Sequence, residues 1–274
     1  MARHLPAPEG TPLYVHLPFC VHLCPYCDFF SVEGAGQDVD GFLDRLVEEL
    51  RDRAPQSPRT VFVGGGTPTY LGADQLERFL VELEGATSFR GSAEEVTVEC
   101  NPESLTREKA DRMLALGVDR LSIGVQSLDP DTLAFYERPH DRDQALAAIA
   151  TAREAGFRRV SLDVIHGAPT EPLESIDRNL LSLLELKPDH VSAYGLTYEP
   201  GTPLYARLER GEVEPLDEDA ELARLERVDE LLEQAGLGAY EVSNYSTSGQ
   251  ECRHNINYWH NGPYVGLGPS AASH

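Results

Sequence analysis

The stretch that most constrains this chain is Tyr14-Val-His-Leu-Pro-Phe-Cys20-Val-His-Leu-Cys24-Pro-Tyr26-Cys27. Three cysteines stand there at CxxxCxxC spacing, behind a short apolar run, Leu13 to Leu17, that reads as a strand. Three thiolates on one loop can converge on one metal centre, and soft sulfur ligands select iron–sulfur clusters, zinc or copper(I). A 4Fe–4S cluster usually has four cysteine ligands, so a loop with three leaves one iron open to a ligand from outside the chain. Structural zinc wants four ligands as two separated pairs, and no second CxxC or HxxxH pair occurs. His16 and His22 offer nitrogen but lie inside the loop region, where the geometry is cramped. A redox CxxC needs only Cys24 and Cys27 and leaves Cys20 unexplained. An odd count of 5 cysteines in 274 residues argues against a disulfide framework. Zinc remains the competing metal.

A chain of this length with 41% hydrophobic residues can build one large core or two modest ones. The net charge of −23 and pI near 4.7 speak against general nucleic-acid or anionic-membrane binding. Acidic residues between Glu212 and Glu233 read as a solvated helix face. Met1 to Pro12 has no apolar stretch of the secretory type and reads as a tail. No apolar run approaches the roughly 18 residues of a membrane span. Free cysteines and no export signal lead us to expect a reducing cytoplasm.

Behind the cysteine loop the pattern alternates. Strands are expected at Thr60–Val63, Val96–Glu99, Asp119–Ile123, Arg159–Val164, His190–Tyr194 and Ala239–Val242, from their β-branched and apolar runs. Helices are expected at Val39–Arg53, Ala73–Leu83, Thr106–Leu116, Arg142–Ala155, Leu173–Leu186 and Leu216–Ala235, several of them stopped by glycine. Alternating strands and helices predict an α/β fold, a parallel sheet covered by helices. No GxGxxG turn follows the first strand. A partial or complete (β/α) TIM-type barrel over residues 13–274 fits better than a dinucleotide-binding sheet. Functional groups in such barrels gather at the C-terminal ends of the strands.

Those ends carry unusual residues. Gly64-Gly65-Gly66-Thr67-Pro68 follows one strand, where glycines let a backbone approach a ligand closely. Glu99, Gln126 and Asp163 end others, and Arg138 lies in a following loop. Each alone is as readily a satisfied loop polar as a site residue. Polar groups at successive strand ends together point to a ligand site.

CxxxCxxC with an aromatic, Tyr26, just before the last cysteine resembles the radical S-adenosylmethionine superfamily. There the open iron is chelated by the amino and carboxylate groups of S-adenosylmethionine, which the cluster cleaves to a 5′-deoxyadenosyl radical. The segments YVHLPFCVHLCPYC, FVGGGTPTYL, VECNPESL, LSIGVQSLD, LDVIHGAP and YEVSNYS resemble one branch, the oxygen-independent coproporphyrinogen III oxidases (HemN) and the HemW haem chaperones. The resemblance implies that Cys20, Cys24 and Cys27 hold a 4Fe–4S cluster. It implies S-adenosylmethionine contacts at Tyr14, Gly65, Gly66, Thr67, Glu99, Gln126, Arg138 and Asp163, with Tyr26 beside the cluster and Thr197 loosely aligned.

Three features favour the chaperone side of that branch. Phe29 stands where the oxidases carry a fourth cysteine, only 13 residues precede Tyr14, and His254-Asn-Ile-Asn-Tyr258-Trp259 reads HNxxYW. The resemblance associates that motif with haem. Histidine is a sound haem ligand, and Tyr258 and Trp259 can pack on a porphyrin; Cys252, His16 and His22 stay open as alternative ligands. Expected partners are haem, apo-haem-protein acceptors, a reduced flavodoxin- or ferredoxin-type electron donor and a second copy in a homodimer. The alternative activity is oxidative decarboxylation of coproporphyrinogen III. Relatives continue into a C-terminal helical domain past the segment matching Gly266 to His274, and that domain is expected to be absent here. A third reading, a zinc-stabilised barrel, makes the strand-end residues incidental.

Overall fold

The computed structural model describes residues 7–274; the first six residues of the tail expected over 1–12 lie outside the described residues. The elements run β1 (Leu13–Leu17), β2 (Phe19–Cys20), β3 (Val32–Glu33), α1 (Val39–Arg53), β4 (Thr60–Gly65), α2 (Ala73–Thr87), β5 (Glu95–Cys100) and α3 (Arg107–Ala115). They continue with β6 (Arg120–Gln126), α4 (Pro130–Phe135), α5 (Arg142–Ala155), β7 (Arg159–His166), α6 (Leu173–Leu184), β8 (His190–Gly195), α7 (Pro203–Glu209) and α8 (Glu218–Gln234). The chain ends with β9 (Gly238–Ala239), β10 (Asn244–Ser246), α9 (Arg253–Trp259) and β11 (Val265–Leu267).

Strands β1, β4, β5, β6, β7 and β8 lie side by side in chain order, all parallel. β11 joins β1 in parallel at one edge, whereas β10 and β9 close the other edge antiparallel. β11 and β9 end the order without pairing to each other, so the barrel is partial. The small strands β2 and β3 pair separately and clamp the base of the cysteine loop.

The parallel strands alternate with period two, and each face has its own chemistry. Val61, Val63, Val96, Val98, Leu121, Ile123, Val160, Leu162 and Val191 form a buried core with the apolar faces of the helices. The other face carries Thr60, Glu95, Thr97, Glu99, Arg120, Ser122, Ser161, Asp163, His190 and Ser192. Cross-strand bonds such as Ser122 Oγ to Asp163 (2.9 Å) and Ser161 Oγ to His190 Nδ1 (2.8 Å) show that these share one side. A barrel interior of this kind is polar rather than filled with branched aliphatic side chains, which leaves room for ligands.

Several helices obey their local signals. Asp38 caps α1 through Gly41 N, and Asp141 with Gln144 forms a reciprocal capping box at the start of α5, which Gly156 ends at φ 109°. The strand expected at Ala239–Val242 is corrected: β9 ends at Ala239 and pairing resumes only at Asn244. Tyr240 turns inward there, its hydroxyl 2.8 Å from His190 Nε2, while Val242 is exposed. Tertiary hydrogen bonding overrides β propensity at that turn. α4, α7, α9 and β11 are elements that the sequence pattern did not announce.

Candidate cofactor site

The cysteine loop leaves β1 at the C-terminal end of the sheet. Val32 N donates to Pro18 O (2.8 Å), Gly34 N to Cys20 O (2.9 Å) and Leu204 N of α7 to Pro25 O (2.8 Å). These bonds fix both feet and the crown of the loop. Cys20, Cys24 and Cys27 are half-buried free thiols that line one cavity of about 690 Å³. The same cavity is lined by Tyr26, Gly65, Gly66, Thr67, Glu99, Gln126, Arg138, Asp163 and Thr197. Residues from seven separate segments of sequence thus meet in a volume suited to a nucleotide-sized ligand.

Tyr14 lies apart from that cavity. It faces an adjoining inner chamber of about 460 Å³, shared with Gly65, Glu99 and Asp163, and its hydroxyl is 3.0 Å from His16 Nδ1. Gly65 and Gly66 are required by close approach. A Cβ on Gly65 (φ +114°) would come within 2.6 Å of the His16 ring, and one on Gly66 within 2.7 Å of the Pro18 backbone. Gln126 ends β6 with φ 61°, beside a register shift in the β6–β7 pairing. A non-glycine residue in that region marks a backbone held by its surroundings.

Arg138 organises the polar wall. Its Nη2 donates to Asn101 Oδ1 (2.8 Å) and Gly124 O (3.0 Å), and its Nη1 lies 3.4 Å from both Cys24 Sγ and the Tyr26 hydroxyl. Asn101 in turn donates to Thr67 Oγ1 (2.9 Å), and Thr67 faces Cys20 Sγ at 3.7 Å. Asn101 is a site residue that sequence reasoning passed over, although it sits two positions beyond Glu99.

Glu99 accepts from Gly65 N (3.0 Å). Burial, aided by the charge of Asp163, pushes its carboxyl up to about 8. Burial raises Asp163 too, opposed by the hydroxyls of Ser192, Ser122 and Ser161. Burial likewise raises the thiols of Cys20 and Cys27, the latter to about 11. Desolvation drives each of these shifts, against partial relief from Arg120 at the carboxyls and Arg138 at the sulfurs, and a cationic ligand beside the carboxyls or a metal on the sulfurs would relieve it further.

Among the described residues no three His, Cys, Asp or Glu side chains converge on a single-ion site. Three soft thiols around a shared space do suit a polynuclear cluster.

The HNxxYW segment lies at the other end of the barrel. α9 packs against the first residues of β4 and β5: His254 Nδ1 is 2.8 Å from Thr60 Oγ1, and Glu95 accepts from Arg253 N (3.0 Å) and His254 N (3.1 Å). His254 Nε2 is 2.8 Å from the Tyr258 hydroxyl. The ring is fully buried with both nitrogens engaged, and burial lowers its pKa to about 4. Cys252 is equally buried, its thiol 3.3 Å from Glu95. His16 also has both nitrogens taken, by Tyr14 and Phe30 O (2.7 Å), whereas His22 stands at the surface 3.7 Å from Glu137. Tyr258 and Trp259 remain accessible, at 38% and 58%. No helix among the described residues is long and apolar enough to cross a membrane.

Comparison with known proteins matches residues 14–183 to the Radical SAM superfamily. The chain is 34% identical over 262 residues to the "Heme chaperone HemW" of Bacillus subtilis, covering 94% of this chain and 69% of that one. It is 40% identical over 271 residues to the protein of the same name in Mycobacterium tuberculosis, covering 96% and 69%. Among solved structures it resembles the coproporphyrinogen III oxidase HemN of Escherichia coli, a radical SAM enzyme, with TM-score 0.83, 26% identity, and 97% of this chain against 65% of that one. The chain therefore spans about two thirds of the length of these relatives.

Proposed function

Since this chain belongs to the radical S-adenosylmethionine superfamily, and within it to the family of HemW and HemN, we propose that it is a cytoplasmic haem chaperone of the HemW type. On this reading it holds a 4Fe–4S cluster and S-adenosylmethionine, binds haem and passes it to apo-haem-protein acceptors. The observation that carries the cofactor part is the convergence of Cys20, Cys24 and Cys27 with Glu99, Gln126, Arg138 and Asp163 on one cavity. A cluster held by these thiols would supply the electron that cleaves the sulfonium, drawn from a reduced flavodoxin- or ferredoxin-type donor.

The chain's own groups bind and orient. The three thiols are the cluster ligands, and Arg138 donates toward Cys24 and holds Asn101 and Thr67 in place. Glu99 and Asp163 receive the ligand's ammonium and hydroxyl groups, and the glycines at 64–66 let the backbone come close. Phe29, 68% exposed, occupies the place of the oxidases' fourth cysteine, which favours the chaperone over the oxidase. Tyr258 and Trp259 offer accessible aromatic faces to a porphyrin. Iron ligation by His254 requires Nε2 to exchange the Tyr258 hydroxyl for the metal.

Anaerobic reconstitution tests this. We expect about four irons per chain, lost in Cys24→Ala, and a haem Soret band weakened in Trp259→Ala. Cluster without haem affinity, together with vinyl products from coproporphyrinogen III, would establish the oxidase instead. Zinc without iron would overturn both.

A further inference from the structure

The inner polar face holds one buried guanidinium that makes no hydrogen bond or ion pair among the described residues; Glu95 and Asp163 act on its charge only from farther away. Arg120 opens β6, is 2% exposed, and stands in register with Thr97 on β5 and Arg159 on β7. Arg159 is neutralised by Glu95 (2.7 Å) and Asp119 (3.2 Å). Glu95 is further used by Cys252 and by the backbone of Arg253 and His254. Asp163, which faces the same chamber as Arg120, is taken up by Ser122 (2.9 and 3.0 Å) and Ser161 (3.3 Å). Arg120 itself makes no hydrogen bond or ion pair among the described residues, although a guanidinium offers a whole fork of N–H donors. The hydroxyl of Thr97 beside it is also buried without a partner.

Buried donors in folded proteins are satisfied by protein, water or ligand, and a desolvated cation gains more from an anion than from a neutral group. Arg120 borders the inner chamber of about 460 Å³, whose wall also includes Tyr258, Asn255 and Tyr264. The HNxxYW segment and the unpaired guanidinium therefore face one space.

We propose that Arg120 is a carboxylate-binding residue, and that the inner chamber receives the carboxylate arm of a ligand admitted past Tyr258 and Tyr264. A planar guanidinium matches a carboxylate in a bidentate fork. On the haem-chaperone reading, on which this inference rests, the arm is a propionate of the tetrapyrrole. The carboxylate of a free amino acid is the other source of the same chemistry.

The test titrates the anaerobically reconstituted chain with haem, with haem dimethyl ester and separately with L-methionine, for wild type, Arg120→Gln and Arg120→Lys. Wild type should bind haem at least about tenfold more tightly than the ester. Arg120→Gln should erase that preference, and Arg120→Lys should keep part of it. Equal binding of haem and ester, with methionine binding lost in Arg120→Gln, assigns the arm to an amino acid. Equal binding of haem and ester, with methionine binding unchanged in Arg120→Gln, overturns the inference and leaves the chaperone reading intact. A wild type that binds no haem sinks that reading, and the methionine arm then decides Arg120 alone. Should Arg120→Gln fail to fold, the charge-keeping Arg120→Lys carries the comparison, and a haem-over-ester preference left unchanged in it overturns the assignment to a bidentate Arg120.

Discussion

Arg138 Nη1 lies 3.4 Å from Cys24 Sγ, across 114 positions of sequence. The same guanidinium anchors Asn101 and Gly124 O, so it ties the cysteine loop to the ends of β5 and β6. Replacing it by methionine keeps the aliphatic bulk and strands two buried acceptors, at a cost of about 1–3 kcal/mol for such groups. Thermal unfolding of Arg138→Met should show a lower midpoint. Reconstituted iron content should fall as well, and an unchanged content would show that the loop holds its shape without this tether.

Glu99 gives the site a pH signature. Its carboxyl, held near 8 by burial and Asp163, is largely protonated at pH 7. A ligand ammonium favours the charged form, so binding of S-adenosylmethionine below that pH should release a proton. Affinity should then rise with pH by up to about tenfold per unit and level off above about 8. Calorimetry in buffers of different ionisation enthalpy reads the proton directly, and Glu99→Gln should abolish the release. Binding with no proton exchange in wild type would place the ammonium elsewhere.

His254 makes stability depend on pH in the opposite part of the scale. Buried neutral, its folded pKa is about 4 against 6.5 unfolded. Below 6.5 the unfolded chain takes up the proton first, so stability is fully present above that pH and drains away as pH falls toward 4. The loss is about 3 kcal/mol for such a shift. His166, lowered by burial to about 4, adds in the same direction. Denaturant unfolding between pH 7 and pH 4 should show the decline, and His254→Gln should flatten part of it. An equal slope in the variant would mean that other groups carry the acid sensitivity.

Gly65→Ala should damage both fold and site. The new methyl meets the His16 ring at 2.6 Å on a backbone at φ +114°, a strained combination worth about 1–3 kcal/mol. Gly36→Ala is the control, with φ +79° but nothing within 4 Å. Gly36→Ala should lose stability only, whereas Gly65→Ala should also weaken binding of S-adenosylmethionine. Equal effects on binding would remove Gly65 from the site.

Much of this was legible from residues alone. Val39–Arg53 and Arg142–Ala155 match α1 and α5 to the residue, because amphipathic spacing and capping side chains are local signals. That the cysteine loop and the polar strand ends would meet was also readable, since alternating strands and helices bring the strand ends to one edge of the sheet. The inward polar stripe through Arg120, Ser122, Ser161 and Ser192 was equally present in the strand sequences, but mixed apolar–polar runs do not say which face is covered by helices. α9 and β11 carry too few residues for a periodic signal and exist because they dock on β4, β5 and β1.

The sequence by itself determined a parallel α/β scaffold with a three-cysteine loop at one end, because hydrophobic periodicity and cysteine spacing are properties of neighbouring residues. Only the tertiary structure decided that His254 is locked between Thr60 and Tyr258 at the far end, that Tyr14 faces a second chamber, and that Arg120 borders that chamber with no ion pair among the described residues. Burial and hydrogen-bond satisfaction arise between segments that are distant along the chain, and no local pattern encodes them.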